Sequence, residues 1–160
     1  MSYLGAFAVI IGVYMIWREY SLFTGREVLV CRSFSRAVMD YREKMICYMV
    51  SPKEWAENYS DECLSEIGFL DALREGANFK EAYGAVCDKL CITDELNSVL
   101  SGCFDRLGEG YLETELKTLD VAIEKLRCEE IRLSESVSKR RKATGAVLGA
   151  FAVGTVILII

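Results

Sequence analysis

Charged residues are confined to the middle of this 160-residue chain. All 19 Lys and Arg and all 24 Asp and Glu lie between Arg18 and Lys142, and residues 1–17 and 143–160 contain none. At a rise of about 1.5 Å per residue, the two uncharged segments would form helices of roughly 25 Å and 27 Å, close to the thickness of a bilayer's hydrocarbon core. We therefore expect a transmembrane helix at residues 1–17, a helical domain at 18–142 and a second transmembrane helix at 143–160.

Other interpretations exist for both uncharged segments. A cleaved signal peptide has a basic start and a small-residue cleavage site. The first segment has neither, and it ends in Met15, Ile16 and Trp17 immediately before Arg18. It could instead be a core helix of a tail-anchored adaptor. The second segment could be a buried helix, although a basic block followed by an apolar run is typical of a membrane span.

Basic residues flank both uncharged segments on the side of the central domain. They are Arg18, Arg26, Arg32 and Arg36 after the first segment, and Lys139, Arg140, Arg141 and Lys142 before the second. Cytoplasmic flanks of membrane spans carry an excess of Lys and Arg. Both flanks therefore predict that residues 18–142 are cytoplasmic, and two spans require their inner flanks to lie on the same side.

Composition argues against several function classes. The net charge of −5 gives no basic surplus for nucleic acid, whose phosphates favour clustered Lys and Arg. The chain has no histidine, the side chain most often used as a general base near neutral pH and as a metal ligand. It also lacks a GxxxxGK[ST] phosphate loop. We expect no enzyme activity, no catalytic residue, no cofactor, no metal and no small-molecule substrate.

Seven cysteines are an odd number and include no CxxC pair, which favours a reducing compartment. Cys87 and Cys91 are four residues apart and would lie on one face of a helix. The simpler interpretation is that they are small apolar core residues. The alternative is a membrane-anchored adaptor or thiol-redox protein that uses this pair.

Helix signals dominate the central segment. Ser51, Pro52 and Glu54 form a capping-box start, Asn78 and Glu81 repeat it, and Thr93 precedes an acidic first turn. We predict a long first helix to about residue 50, helices near 52–59, 61–75, 79–91 and 94–107, and a long last helix from about 111 into the second span. The fold class is therefore all-α, an antiparallel helical bundle with a transmembrane helix at each end.

Two periodic patterns occur in the long terminal helices. An apolar stripe is expected to face the core, and its members are Leu112, Leu116, Leu119, Ile123, Leu126, Ile131 and Leu133. In the second uncharged segment, Gly145 and Gly149 form a GxxxG motif, and Ala8 with Gly12 have the same spacing in the first. Such spacing lets helices approach closely in lipid. The stripe predicts a buried helix face, and the glycines predict a packing seam.

The order of these segments, together with three local motifs, resembles the stage III sporulation protein AB family. The family pattern I-x-Y-x-x-[TS]-P stands here as ICYMVSP, with Ile46, Tyr48, Ser51 and Pro52. An F-x-x-L-G turn stands as FDRLG, with Phe104, Leu107 and Gly108, and the entry to the last span reads KATGAVLGAF. The chain departs from the family where Lys53, Tyr111 and Glu115 replace the usual Leu, Asp and Gln.

The resemblance implies a fold similar to the cytoplasmic domain of the type II secretion system F protein, a non-catalytic platform. It implies a membrane scaffold in a sporulation-specific, secretion-like feeding-tube channel between mother cell and forespore. The expected location is the mother-cell membrane around the forespore. The expected partners are the stage III AA ATPase and the other stage III A membrane proteins, and the motif residues are candidates for these contacts.

Overall fold

The computed structural model describes residues 2–90, 92–105, 107 and 112–159; within the helices, the side chains of 2–6, 9–10, 21–24, 151–153 and 155–159 are not described. The described residues contain no strand, and the all-α prediction is confirmed. The helices are α1 (Ser2–Tyr48), α2 (Pro52–Asn58), α3 (Glu62–Glu66), α4 (Phe69–Arg74), α5 (Phe79–Val86), α6 (Asp94–Phe104) and α7 (Leu112–Ile159), with a 3-10 turn at Cys87–Lys89.

The chain divides into two compact units. One comprises Glu27–Ile131, and the other comprises Met1–Arg26 together with Arg132–Ile160. We call them the helical unit and the terminal unit. The first contains part of α1, all of α2 to α6 and part of α7; the second contains the remaining parts of the two long helices.

In the helical unit, α1 and α7 run antiparallel. Arg32 Nε lies 2.7 Å from Glu130 Oε1, and Arg42 Nε lies 2.5 Å from Asp120 Oδ1. Ten residues forward along α1 therefore correspond to ten residues backward along α7. The Cys31 thiol also donates to the carbonyl oxygen of Leu126 at 3.5 Å. These contacts set the register of two helices whose paired residues are 78 to 98 positions apart in sequence.

The predicted helix starts at Ser51 and Asn78 are confirmed. The Ser51 hydroxyl accepts from the Glu54 N–H at 3.3 Å while the Glu54 carboxylate accepts from the Ser51 N–H at 3.0 Å. Asn78 and Glu81 form the same reciprocal pair at 2.8 and 3.1 Å. Such caps satisfy N–H groups that the first helical turn leaves unpaired. The start at Thr93 is also confirmed, and its N–H donates to the Glu27 carboxylate at 2.8 Å.

Helix ends differ more from expectation. The single helix predicted over 61–75 is wrong, because Gly68 adopts a left-handed conformation with φ of 84° and separates α3 from α4. The helix predicted over 79–91 ends as α5 at Val86 and tightens into the 3-10 turn. The helix predicted over 94–107 ends at Phe104. Leu107 lies in the turn that follows, and its N–H donates to the Phe104 carbonyl oxygen at 3.2 Å.

The left-handed conformation of Gly68 predicts how substitution there changes stability. Gly68→Ala should lower the free energy of unfolding by about 1–2 kcal/mol, because a left-handed φ forces Cβ towards the carbonyl oxygen. A Cβ on Gly68 would meet no atom of the described residues within 4 Å, so the loss would be conformational. Gly102, inside α6, also has open space there. Gly102→Ala should instead raise stability by up to about 1 kcal/mol. Thermal unfolding of both variants tests the difference in sign.

An aromatic cluster fills the core of the helical unit. Phe34 of α1 lies with its ring centroid 5.1 Å from Phe69, 5.9 Å from Tyr83 and 5.4 Å from Phe104. Phe79 stacks on Phe104 at 6.0 Å. The rings come from α1, α4, α5 and α6, so this cluster joins the first long helix to the short helices.

The predicted apolar stripe of α7 is buried only in part. Leu119 and Leu126 are buried in the helical unit, and Leu133 is buried in the terminal unit. Leu112 and Ile131 are exposed, contrary to the prediction. The exposed Leu112 lies beside the end of α1, where it lines a groove together with Met45 and Met49.

Within the terminal unit, α1 and α7 approach each other near Trp17 and Gly25. A Cβ on Gly145 would be 3.9 Å from Trp17 Nε1, and one on Gly25 would be 3.1 Å from an Nη atom of Arg141. Among the described residues, no helix is both long and apolar enough to cross a membrane. Met1 and Ile160, the outer ends of the two predicted spans, lie outside the described residues.

Candidate interaction surfaces

An exposed apolar surface lies where α1 ends. We call Ile46, Tyr48, Met49 and Leu112 the α1-end surface; Tyr48 and Met49 are each 74% exposed. Met49 and Leu112 line a groove together with buried Tyr41 and Met45, and its charged residues are Lys53 and Glu115. Ile46 and Tyr48 are exposed on the last turn of α1 and do not line the groove. Large exposed apolar side chains that are contiguous mark interaction sites more often than scattered ones do.

Met49 is also strained. Its φ is 52°, and it is the one non-glycine with positive φ among the described residues. For a residue with a Cβ, the left-handed conformation costs about 1–2 kcal/mol. Its N–H still bonds to the Met45 carbonyl at 3.0 Å, so the turn caps α1 without glycine or asparagine. Strain of this kind clusters at functional sites, and here it accompanies an exposed, flexible apolar side chain.

The motif residues fall into separate environments. Ile46 and Tyr48 are exposed, whereas Ser51 caps α2 and Pro52 occupies its first turn. Phe104 and Leu107 are buried, Phe104 within the aromatic cluster, so they support the core. Gly108 lies outside the described residues, as does Tyr111. Of the two motifs in the helical unit, only the first therefore supplies exposed apolar side chains among the described residues.

A second groove follows α6 and α7. Its lining includes Val99, Gly102 and Val121, and its charged residues include Glu124 and Lys125. Both basic and acidic side chains therefore line it. The groove therefore has neither a dominant charge nor an extended apolar face.

The thiols offer little support for redox chemistry. Cys31 and Cys103 are buried, and burial raises the pKa of both; for Cys31 the pKa rises from 9.0 to about 12, with Glu130 and Glu129 adding to the shift. The Cys87 thiol lies 3.3 Å from the Gly84 carbonyl oxygen and 3.8 Å from the Asp88 carboxylate, and neither is a cation of the kind that activates a thiolate. Cys91 lies outside the described residues. Those residues contain no group of three or more potential metal ligands.

The buried Cys31 thiol makes folding sensitive to alkaline pH. The unfolded thiol loses its proton near pH 9 and the folded thiol only near 12, so stability is full below pH 9 and falls as pH rises towards 12. At about 1.4 kcal/mol per pH unit, wild type should lose about 2 kcal/mol more than Cys31→Ala between pH 8 and 10.5.

Thermal unfolding at both pH values measures this difference. Cys128→Ala, which removes an exposed thiol, should behave like wild type and is the control. Burial also raises the pKa of Tyr41 and Tyr83, which adds an alkaline loss common to all three proteins. If stability depends on pH equally in wild type and Cys31→Ala, the alkaline loss does not come from the Cys31 thiol.

The terminal unit carries a concentration of cations, which we call the basic collar. Its members are Arg18, Arg26, Arg132, Lys139, Arg140, Arg141 and Lys142, all exposed. The carboxylates in the same two segments, 18–26 and 132–142, are Glu19 and Glu135, and Lys139 Nζ lies 4.0 Å from Glu135. The contacts at Trp17 and Gly25 bring the basic residues of α1 and α7 together, although more than a hundred residues separate them in sequence.

The two glycines of the predicted packing seam differ in their surroundings. Gly145 approaches Trp17, whereas a Cβ on Gly149 would meet no atom of the described residues within 4 Å. The same is true of Gly12 in α1. The packing seam remains a prediction.

The sequence interpretation missed the aromatic residues beside the collar. Tyr14, Trp17 and Tyr20 recur every three residues along α1, and the Tyr14 and Trp17 ring centroids are 6.4 Å apart. Tyr and Trp are enriched at membrane–water interfaces, so the spacing next to Arg18 was an available signal. It also missed Met49, because a positive φ at methionine has no sequence signature.

No protein-family model, no curated protein and no solved structure matches the chain.

Proposed function

We propose that the chain is a non-catalytic membrane scaffold in which residues 1–17 and 143–160 cross the bilayer side by side and residues 18–142 lie in the cytoplasm. The contact between Trp17 and Gly145 carries this proposal. Trp17 is the last residue of the first uncharged segment, and Gly145 is the third residue of the second. Two membrane helices that enter from one side need their entry points at one level, and this contact is consistent with that requirement.

Charge and aromatic residues support the same orientation. The basic collar adjoins the inner end of both proposed spans, as expected for cytoplasmic flanks. Tyr14, Trp17 and Tyr20 occupy the position at which aromatic side chains mark the interface. Two independent features therefore favour one plane for the membrane surface.

The resemblance to the stage III sporulation protein AB family supplies the biological role. We propose that the scaffold belongs to the secretion-like channel between mother cell and forespore and is required for endospore formation. By the same resemblance, the helical unit is similar to the cytoplasmic domain of the type II secretion F platform. The stage III AA ATPase is then the expected cytoplasmic partner, beside the other stage III A proteins.

We assign contact with that partner to the α1-end surface. Two of its four exposed apolar side chains, Met49 and Leu112, line a groove, and Met49 keeps a strained conformation there. Among the described residues, the α6–α7 groove has no residue with a positive φ, and more charged side chains line it than line the groove beside α1. This assignment makes the first motif an exposed contact and leaves Phe104 and Leu107 to support the core beneath it.

Genetic loss and partner binding test the proposal. Deleting the gene from its own host should cause a severe loss of heat-resistant spores, and an unchanged spore yield would contradict the role.

The variant Ile46→Asp/Tyr48→Asp should fold, reach the membrane and fail to retain the ATPase in co-purification. Val121→Asp on the other groove replaces a similarly exposed side chain and should retain it. Equal retention by both variants would move the contact away from the α1-end surface.

A further inference from the structure

The basic collar of the terminal unit has a composition suited to a specific lipid. Seven cations and two carboxylates lie in residues 18–26 and 132–142, and all seven cations are exposed. The packing of α1 against α7 at Gly25 and Trp17 brings basic residues of the two helices together, which sequence alone did not reveal. We propose, on the basis of the membrane topology proposed above, that the basic collar selects anionic phospholipids in the leaflet that it faces.

The arrangement of Arg141 explains how the collar is held. Side chains on an α-helix tilt towards its N-terminus. Arg141 follows this rule, because its guanidinium lies against α1 where a Cβ on Gly25 would be only 3.1 Å away. It therefore reaches away from the proposed span and links the two helices at the level of the collar. Arg140 and Lys142 flank it on other sides of α7.

The chemistry recognised is a phosphodiester with a net negative charge. A zwitterionic head group presents the same phosphate beside its own ammonium, so a surplus of cations distinguishes the two. Each Lys or Arg near an anionic membrane surface favours binding by about fivefold. Exposed charges are screened over about 10 Å at 0.1 M salt, so the selection should weaken as salt rises.

Trp17 provides a probe at the right depth. Its indole nitrogen lies beside Gly145, which is three residues, or about 4.5 Å of helix rise, beyond Lys142. The other tryptophan, Trp55, is buried in the helical unit and donates to Asp40 at 2.7 Å. A Trp17→Phe protein therefore gives the Trp55 signal to subtract, without disturbing the helical core.

The experiment reconstitutes the full chain into vesicles of equal phosphatidylcholine and phosphatidylglycerol, with bromine on the acyl chains of one lipid at a time. Bromine quenches nearby indole fluorescence, so the two quenching curves give the relative association of each lipid with the protein near Trp17. We expect the association constant derived from these curves to be at least about fivefold larger for phosphatidylglycerol than for phosphatidylcholine. The preference should fall markedly in about 0.5 M salt.

Suitable variants keep the contacts that hold the two helices together. Arg140→Gln/Lys142→Gln leaves Arg141 on Gly25 and Lys139 near Glu135, and it should lose most of the preference. Lys44→Gln/Lys53→Gln removes the same charge from exposed positions in the helical unit and should keep it. The charge-conserving Arg140→Lys/Lys142→Arg should also keep it, which separates lost charge from lost folding.

Three results would count against the proposal in different ways. Equal quenching by the two brominated lipids would overturn the lipid selection while leaving the membrane topology intact. No quenching by either lipid would place Trp17 outside the bilayer and overturn the topology as well. Loss of preference in both glutamine variants would assign it to net charge and not to the collar.

Discussion

Replacing Phe34 with alanine should lower the free energy of unfolding by about 3–5 kcal/mol, the range for a fully buried phenylalanine. Phe34 is 0% exposed and contacts Phe69, Tyr83 and Phe104. Alanine would remove the ring that connects α1 to three short helices and would leave a cavity among rigid aromatic neighbours. Those neighbours also pack against one another, so they have little freedom to close the space.

The loss is measured by thermal unfolding of the full chain in mild detergent, followed by near-ultraviolet circular dichroism, which reports on aromatic packing. Tyr48→Ala removes an exposed ring from the same helix and should change stability by less than about 0.5 kcal/mol. Phe34→Leu keeps most of the volume and should cost less than the alanine change. A loss below about 1 kcal/mol in Phe34→Ala would show that this cluster does not hold the helical unit together.

Local chemistry made most helix starts predictable. Ser51 and Asn78 act through side chains only three residues from their partners, so the capping boxes could be recognised from sequence alone. The break at Gly68 was harder, because the apolar spacing continues across it while its left-handed φ interrupts the helix. A glycine inside a periodic apolar run is compatible with a continuous helix and with a break. The sequence around Gly68 therefore did not show that α3 and α4 are separate helices.

Long-range register was not predictable. The pairs Arg32–Glu130 and Arg42–Asp120 join residues that are far apart in sequence, and many other Arg–carboxylate pairings would satisfy the same composition. The register also decides which α7 residues are covered. Leu119 and Leu126 are buried, whereas Leu112 lies exposed near the end of α1, although all three belong to one apolar stripe.

The candidate surfaces show the same division. Positions of Ile46 and Tyr48 were singled out by a motif, but their exposure and the strain at Met49 depend on how α1 ends. The basic collar was visible as two separate runs, and only the packing of Trp17 and Gly25 against α7 gathers them. In both cases the residue types came from sequence, while the shared location required the fold.

A charge at the middle of the first proposed span should have the largest effect on topology. Ile11→Arg replaces a residue that favours insertion with one that opposes it, a change of about 3 kcal/mol, or roughly a hundredfold in the inserted fraction. Ile11 is 47% exposed. If residues 1–17 were a surface helix in water, the same change would alter stability by less than about 0.5 kcal/mol.

Cysteine labelling at residue 2 distinguishes the two cases. In Ser2→Cys produced in growing, non-sporulating cells, a membrane-impermeant maleimide should label intact cells, because residue 2 would then lie on the outer face of the cell membrane. The native cysteines lie between residues 31 and 128, within the proposed cytoplasmic segment, and should react only after permeabilisation.

Adding Ile11→Arg should protect residue 2 from the external reagent, since an uninserted first segment remains in the cytoplasm while the second span still anchors the chain. Leu29→Arg, at a 53% exposed position in the helical unit, should leave external labelling unchanged and is the matched control. If residue 2 of the Ser2→Cys protein is inaccessible from outside, the two-span topology is wrong. If Ile11→Arg leaves labelling as strong as before, residue 11 does not lie in hydrocarbon, and Trp17 cannot mark the plane at which the chain enters the membrane.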